Sequence, residues 1–280
     1  MDIDQARTFL AIADCGSFIE AAGRLHLTQS TVSARIRRLE EELGARLFVR
    51  NRAGATLTMG GRRFAEYAKR LVLTAEQARH HVGLPSRYRS TLRVGGRIAL
   101  WEGLLPAWVQ WMRKQETNVA LRAEIGFEED LMRRLIEGTL DIGLMYSPTH
   151  SPGLVVEHLF DETLMLVSSR PADTHPGDDY IYVEWGPAFD IQHTLSYPEL
   201  EPPPQVVSIG WLGIQFMLSN GGACYLPARM AEPLIGAGRL HAVAEAPRYP
   251  LSAYMVYPKQ LDNPVMPQAL DGLRQLARAA

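Results

Sequence analysis

The chain has 280 residues, a formal net charge of −2 and only two cysteines, Cys15 and Cys224, which predict two or three domains and disfavour a disulfide framework. No apolar run is long enough to span a bilayer, and the first residues lack a basic leader and a signal-peptide core, so we expect a cytoplasmic protein without a membrane partner. The first 90 residues carry fifteen basic and nine acidic side chains, and the remainder carries fourteen basic and twenty-two acidic ones. This asymmetry predicts a basic arm for a polyanion, joined to an acidic body.

Three helices are predicted before residue 45. The first runs from about Ile3 to Asp14, and the second follows Ser17 as its cap. The third runs from Gln29 to about Leu43, and its apolar residues recur at spacings of four, three and four: Val32, Ile36, Leu39 and Leu43. Thr28 is placed to cap this helix. The segment therefore predicts a helix-turn-helix whose second helix enters the DNA major groove.

An ordinary helical hairpin with a solvated polar face is the alternative for this segment. The local charge favours DNA, because residues 24–70 hold eleven basic and only four acidic side chains. A polyanion-binding surface needs such an excess to neutralise phosphates and release their counterions.

The segment LFVRNRAGATLT alternates around a glycine-containing turn and predicts a two-stranded wing. Arg50, Asn51 and Arg52 would lie at its tip, where they would reach phosphates or the minor groove. A solvated hairpin tip is the alternative.

A long helix is predicted from Arg62 to Val82, with an apolar seam at heptad spacing: Phe64, Ala68, Leu71, Ala75, Ala78 and Val82. So narrow a stripe predicts pairing with the same helix of a second chain, and the alternative is a single helix packed on the body. The stretch from Gly83 to Ser90 is predicted to be a hinge.

The body alternates strands with helices from about Thr91 onward, which predicts βαβ units and parallel sheets covered on both faces. One doubly wound domain and two smaller lobes both fit this pattern. We find no glycine-rich phosphate loop, no G-x-S-x-G elbow and no H-E-x-x-H, so neither an enzyme nor a cofactor is predicted. No metal site is predicted either, because His80 and His81 are adjacent on a helix and cannot converge on one ion.

Redox sensing and solute binding are two alternative functions for the body of the chain. Redox sensing would rest on Cys224, but its apolar strand GACYL favours a buried, inert thiol. A solute-binding protein would share the body's fold, but it would need an export signal and would not carry the basic head.

The N-terminal 60 residues resemble the LysR-type transcriptional regulators. The matching residues stand at the family's fixed spacing: Ala21-Ala22, Thr28-Gln29-Ser30, Ser33, Ile36, Leu39-Glu40, Leu43-Gly44, Leu47-Phe48, Arg50, Leu57-Thr58 and Gly61. Later segments, LRVGG, LIEGTLDIGLMY and LSNGGACYLPARM, extend the resemblance over essentially the whole chain. The pairing of ALWEGLL with VEWGPAF resembles a subgroup that includes a repressor of the flagellar master operon.

This resemblance implies an all-α winged helix-turn-helix head with a long linker helix, followed by an α/β effector domain of two lobes, like a periplasmic binding protein. The implied boundaries are 1–60 for the DNA-binding domain, 61–90 for the dimerising helix and hinge, and 91–280 for the effector domain. Lobe I would take about 91–162 and 255–280, and lobe II about 163–254. The implied partners are double-stranded DNA, further copies of the chain up to a homotetramer on an interrupted palindrome, a small-molecule effector that changes DNA bending, and RNA polymerase.

Carried over by position, Gln29, Ser30 and Ser33 should face bases, where the glutamine amide can read adenine with two hydrogen bonds. Other residues are expected at phosphates or groove edges: Thr28, Thr31, Arg35, Arg37, Arg50 and Arg52. Met59 replaces the proline that commonly opens the linker helix, and Gly60-Gly61 follows. Two glycines cost a helix about 1 kcal/mol each relative to alanine, so the head is expected to be loosely coupled to this helix.

The effector cleft is predicted between the lobes, at the carboxyl ends of strands. Its expected lining is Arg97, Ala99, Trp101, Phe127, Glu128, Met145, Tyr146, Trp185, Gly186, Gly210 and Trp211. Arg97 would pair with an anion, and Trp101 and Trp185 would stack on a planar or apolar molecule. The alternative is that the tryptophans are core residues and Arg97 is a surface charge. The loop from Gly96 to Trp101 lacks the hydroxyl that many relatives use to hold an anionic effector.

Overall fold

The structure is a computed structural model that describes residues 1–51, 54–82, 87–171 and 176–278. It divides into two compact units, Met1–Pro85 and Ser86–Ala280, which we call the head and the effector domain. None of the helices in the described ranges combines the length and the apolar character that crossing a bilayer requires.

The head contains four helices and one hairpin. Their bounds are α1 (Ile3–Cys15), α2 (Phe18–Arg24), α3 (Gln29–Leu43), β1 (Phe48–Asn51), β2 (Gly54–Leu57) and α4 (Met59–Val82). Side chains cap the second and third helices as the sequence predicts: the Ser17 and Thr28 hydroxyls accept hydrogen bonds from backbone N–H groups in the first turns of α2 and α3. Gly44 ends α3 in the left-handed conformation, at φ 64°, which a glycine adopts without strain.

The core of the head is aromatic, and the first half of α4 belongs to it. The Phe9 ring on α1 lies 5.0 Å from the Phe64 ring on α4 and 5.1 Å from the Phe48 ring on β1. Phe64 and Ala68 are buried. The prediction that the whole heptad seam faces a second chain is therefore wrong for these two residues, because the head itself covers them.

The start of α4 corrects the predicted beginning of the helix. The helix begins at Met59 rather than Arg62, with the Thr58 hydroxyl accepting a 2.9 Å hydrogen bond from the Gly61 N–H. A Cβ on Gly61 would lie 2.2 Å from the Leu47 carbonyl oxygen, so only glycine permits this approach. The second glycine therefore lets α4 lie directly against the segment that leads into the wing.

The effector domain alternates strands and helices over most of its length. The elements are β3 (Ser90–Gly96), α5 (Ile98–Trp101), α6 (Leu104–Gln115), β4 (Val119–Ile125), α7 (Glu128–Ile136), β5 (Ile142–Met145), β6 (Leu154–Ser168), β7 (Ile181–Val183), α8 (Pro187–Ser196), β8 (Gln205–Val207), α9 (Gly210–Asn220), β9 (Ala223–Pro227), α10 (Ala228–Gly236), β10 (His241–Ala242), β11 (Tyr249–Pro258) and α11 (Met266–Ala277).

The sheets are mixed, which corrects the expectation of parallel sheets. Only β3 with β4, β3 with β5, and β7 with β8 pair in parallel. The long strands β6 and β11 pair antiparallel along their length, and a bulge leaves Leu159 without a register partner opposite Ala253 and Tyr254. One half of β6 belongs to the β4-β3-β5-β11 side of the sheet, and the other half pairs with β9 and β10. This pair of strands crosses from one lobe to the other in the two-lobed effector domain.

Candidate nucleic-acid interface and effector site

The third helix, α3, separates its apolar and polar residues sharply. Val32, Ile36 and Leu39 are almost completely buried. The opposite face is exposed and carries the predicted base-reading residue Ser30, and Gln29, the other one, is exposed at the very start of the helix. Because the buried face holds α3 firmly on the head, the exposed face presents fixed side chains to a partner.

Hydroxyl groups cluster at the start of α3. The Thr28 Oγ1 accepts from the Thr31 backbone N–H at 3.2 Å, and it lies 2.9 Å from the Ser30 Oγ and 2.8 Å from the Thr31 Oγ1. Thr28 therefore fixes the first turn of the helix that presents Gln29. Ser33 is half-buried beside this face.

The arginines of α3 have different environments. Arg35 reaches back to α1, where its guanidinium lies 3.3 Å from both the Thr8 hydroxyl and the Asp4 carboxylate. Arg35 therefore joins two helices of the head. Arg38 pairs with Glu42 one turn later, at 3.2 Å. Arg37 is exposed, and among the described residues no acidic side chain pairs with it.

Glu40 has a structural role beneath this site that the sequence did not reveal. Its buried carboxylate accepts from the Leu47 backbone N–H at 2.7 Å and from the Phe48 N–H at 3.3 Å, and it pairs with Arg46 at 3.1 Å. It thereby fixes the chain where α3 gives way to β1. The predicted tip residues fall outside this description: Arg52 lies outside the described residues, as do the side chains of Arg50 and Asn51.

The middle of α4 borders an apolar groove of about 420 Å³. The groove is lined by Met1, Leu43, Phe64, Tyr67, Arg70, Leu71 and Thr74. Farther along, the predicted seam residues are half-buried at Ala75, exposed at Ala78 and 87% exposed at Val82. Of the predicted hinge, residues 83–86 lie outside the described part of the chain.

Within the effector domain, Arg97 lies in the loop where the sequence lacks a hydroxyl. Its guanidinium is buried, pairs with Glu128 at 3.3 Å and lies 4.7 Å from the centre of the Phe127 ring. The same group donates a 3.2 Å hydrogen bond to the Ser208 carbonyl. The alternative of a surface charge is therefore wrong. Ser208 was missed because it lies 111 positions away along the chain.

A second polar cluster lies around the strand crossing. The Tyr146 hydroxyl donates to the Glu162 carboxylate at 2.7 Å, and Arg229 pairs with the same carboxylate at 2.5 Å. Arg229 also donates to the Ala99 carbonyl at 2.9 Å. Burial, together with the neighbouring Glu162 charge, raises the pKa of the Tyr146 phenol well above its ordinary value, so this phenol remains a hydrogen-bond donor. Glu162 and Arg229 were not predicted.

The tryptophans divide between core and surface. Trp185 is buried and donates to the Tyr225 carbonyl at 2.9 Å, and its ring lies 6.1 Å from that of Tyr146. Gly210 is the position that admits this ring, since a Cβ there would lie 2.7 Å from it. Trp185 is thus a core residue.

The remaining predicted cleft residues lie at different depths. The indole N–H of Trp101 donates to the Glu124 carbonyl at 3.0 Å, whereas Trp211 is 44% exposed. Gly186 adopts φ 110° where a Cβ would lie 2.6 Å from the Ser147 hydroxyl.

The prediction that Met145 lines the effector cleft is wrong. Its side chain is fully buried in a cluster separate from the main core of the domain, with Leu131, Leu135 and Val256. Since β5 is buried on both faces, alternation along this strand did not reveal which face each side chain takes. Cys224 is also fully buried, and burial raises the pKa of its thiol, which favours the unreactive protonated form.

Known proteins resemble both parts of the chain. Residues 3–62 match the family model described as "Bacterial regulatory helix-turn-helix protein, lysR family", and residues 85–176 match the model described as "LysR substrate binding domain". The chain is 33% identical over 239 residues to the HTH-type transcriptional regulator HdfR of Yersinia pestis and of Yersinia pseudotuberculosis, which covers 81% of this chain and 81% of each relative.

Solved structures share the fold over nearly the full length. The structure of CbnR, a LysR family transcriptional regulator, superposes with a TM-score of 0.64 at 19% identity, covering 99% of each chain. The structure of ArgP from Mycobacterium tuberculosis superposes with a TM-score of 0.63 at 22% identity, covering 99% of this chain and 97% of that one. These similarities extend over both the head and the effector domain.

Proposed function

The chain belongs to the LysR family of DNA-binding transcriptional regulators, and on that premise we propose that it binds an interrupted palindrome in duplex DNA as an oligomer, under the control of a small-molecule effector. The observation that carries the proposal is the exposed polar face of α3, opposite the buried Val32, Ile36 and Leu39. Ser30 on this face and Gln29 at the start of the helix would read base edges, and Arg37 would neutralise a phosphate.

The oligomer would form through the groove on α4. We assign its occupant as the α4 helix of a second copy, because Tyr67, Leu71 and Val82 are exposed apolar side chains along one long helix. An exposed apolar stripe on a helix favours association that removes it from water. Two such dimers would give a homotetramer on two half-sites.

The effector would bind at the strand crossing, beside Arg97. An anionic group of the effector would compete with Glu128 for this buried guanidinium, and its planar part would lie on Phe127 and Trp211, which are both about half exposed. Because Arg97 also holds the Ser208 carbonyl, such binding would change a contact between residues that the sequence places in different lobes. That change is the proposed route from ligand to DNA bending.

Two further expectations accompany this function. The chain would act in the cytoplasm, where bacterial DNA lies, and RNA polymerase would be its partner at the promoter. Transcription in vitro from a selected promoter, with purified polymerase and the full chain, tests this partner. The amount of transcript should change when the chain is added, and an unchanged amount on a bound promoter would contradict it.

The decisive test of base reading uses DNA sites selected by the full chain from random duplexes. Replacing Gln29 by alanine should weaken binding to the selected site by about 5–150-fold, the range expected for a lost bidentate base contact, and should leave binding to unrelated DNA unchanged. Gln110, an exposed glutamine of α6, provides the matched control substitution. Unchanged sequence preference in Gln29→Ala would contradict the assignment.

A further inference from the structure

One apolar side chain lies in the middle of the exposed face of α3. Ala34 is exposed, whereas Val32 and Ile36, two residues to either side, are buried. Since successive residues of an α-helix turn by about 100°, Ala34 points nearly opposite to the buried stripe. Ser30, four residues earlier, and Arg37, three residues later, share its face.

The rest of the exposed face is polar. The structure describes every residue of α3, and its exposed members besides Ala34 are Gln29, Ser30, Arg37, Arg38, Glu41, Glu42 and Leu43. Leu43 lines the groove on α4 instead. Ala34 is therefore the one apolar side chain of this helix that is available to a partner on the polar face.

The acidic residues indicate which part of α3 approaches DNA. Glu41 lies two turns beyond Ala34 on the same face and is exposed, as is Glu42. Carboxylates are repelled by the phosphates that border the groove. The helix must therefore enter with its first two turns, from Gln29 to Arg37, and Ala34 lies near the middle of that segment.

We propose that Ala34 is a specificity-determining residue that reads thymine through its C5-methyl group. This inference rests on the proposed major-groove function of α3. The thymine methyl is the apolar feature of the major groove, and an alanine side chain recognises it by excluding water between two methyl groups. A residue that forms no hydrogen bond would thus add specificity beside the polar contacts of Gln29 and Ser30.

Replacement of thymine by uracil tests this directly, because only the C5-methyl group is removed. Each thymine of a selected site is replaced in turn, and binding of the full chain is measured by fluorescence anisotropy. At one thymine in each half-site, the replacement should weaken binding about fourfold, as expected for one buried methyl group. If the unmodified site is bound but no thymine-to-uracil replacement in either half-site weakens binding, the proposal is overturned. Failure to bind the unmodified site would instead contradict the proposed function.

A protein variant assigns the effect to Ala34. We define the thymine-to-uracil ratio as the affinity for the site with thymine divided by the affinity for the site with uracil at the responding position. In Ala34→Gly this ratio should fall to about one, since that variant has no methyl group to make the contact. Glu41→Gly is the matched control, because it introduces the same helix-weakening residue on the same face and keeps Ala34; its ratio should equal that of the wild type. A persisting fourfold ratio in Ala34→Gly would overturn the assignment. Thermal melting of both variants checks that they fold. If Ala34→Gly does not fold, the thymine-to-uracil replacements measured with the wild-type chain still test the proposal.

Discussion

The charged groups of the two candidate sites differ in direction: Arg37 on α3 points outward, whereas those around Arg97 and Glu162 in the effector domain point inward. On α3, Arg37 is exposed and has no acidic partner among the described residues, whereas in the effector domain Arg97 and Glu162 are buried and held by named partners. The outward charge suits a partner that brings its own opposite charges, as DNA does. The inward charge suits a protein that must hold a particular internal arrangement until a ligand alters it. The two candidate sites therefore use arginine for different purposes.

The largest effect is expected where an inward charge is removed. Glu162→Gln would leave Arg229 without its carboxylate and Tyr146 without a charged acceptor, and it should lower the free energy of unfolding by about 3–5 kcal/mol, as for other broken buried ion pairs. Glu137→Gln is the control, because its partner Arg133 is largely exposed, and it should change the stability by less than about 1 kcal/mol. Urea denaturation of the full chain measures both. If the two substitutions lowered the free energy of unfolding equally, the buried ion pair would contribute no more to stability than the exposed one.

A somewhat smaller effect is expected at the groove of α4. Leu71→Glu should raise the dissociation constant of the oligomer by about 10–100-fold, because a leucine buried on association contributes about 1.5–3 kcal/mol. Leu261, which is exposed to a similar degree in the effector domain, provides the control Leu261→Glu. Sedimentation over a range of concentrations measures the change. An oligomer that is equally stable in both variants would exclude α4 as the contact.

Two adjacent glycines test the close packing between the start of α4 and the segment before the wing. Gly61→Ala should destabilise the head by about 1–3 kcal/mol, since the added methyl group overlaps the Leu47 carbonyl. Gly60→Ala should be better tolerated, because its added methyl group lies 3.3 Å from the nearest atom, the Arg46 carbonyl oxygen, and alanine favours the helix by about 1 kcal/mol. Thermal melting of each variant decides, and identical melting curves would contradict the packing argument.

The smallest effect concerns the exposed charge itself. Arg37→Ala should weaken binding to every DNA sequence alike and reduce the slope of log affinity against log salt by about one per contact. Arg38→Ala should do less, because Arg38 already pairs with Glu42. Salt titrations of the binding affinity compare the two variants. If Arg38→Ala changed the salt slope more than Arg37→Ala, Arg38 rather than Arg37 would be the residue that neutralises a phosphate.

Local patterns carried most of what the sequence predicted about the head. The period of Val32, Ile36 and Leu39 places the buried face of α3, and a hydroxyl at Thr28 caps it, because helix geometry relates residues only a few positions apart. The same pattern failed at Phe64 and Ala68. A heptad seam states that one face is apolar, but it does not state whether the same chain or a second chain covers that face.

The effector domain was predicted less well because its polar contacts join distant positions. Arg229 and Glu162 are 67 positions apart, and Arg97 and Ser208 are 111 positions apart. No local spacing encodes such pairs. The resemblance to LysR-type regulators supplied the two-lobed fold, yet it did not reveal that Arg97 is already paired with Glu128.

The central claim is that two copies of the chain insert their α3 helices into the major groove of one duplex. Hydroxyl-radical footprinting of the full chain on a selected site tests it most directly. We expect two protected blocks on one side of the duplex, with centres about 10 base pairs or a multiple of that apart. At a protein concentration that just saturates the site with the wild type, Gln29→Ala should protect both blocks less. A single protected block, or equally strong protection by Gln29→Ala at that concentration, would contradict the claim.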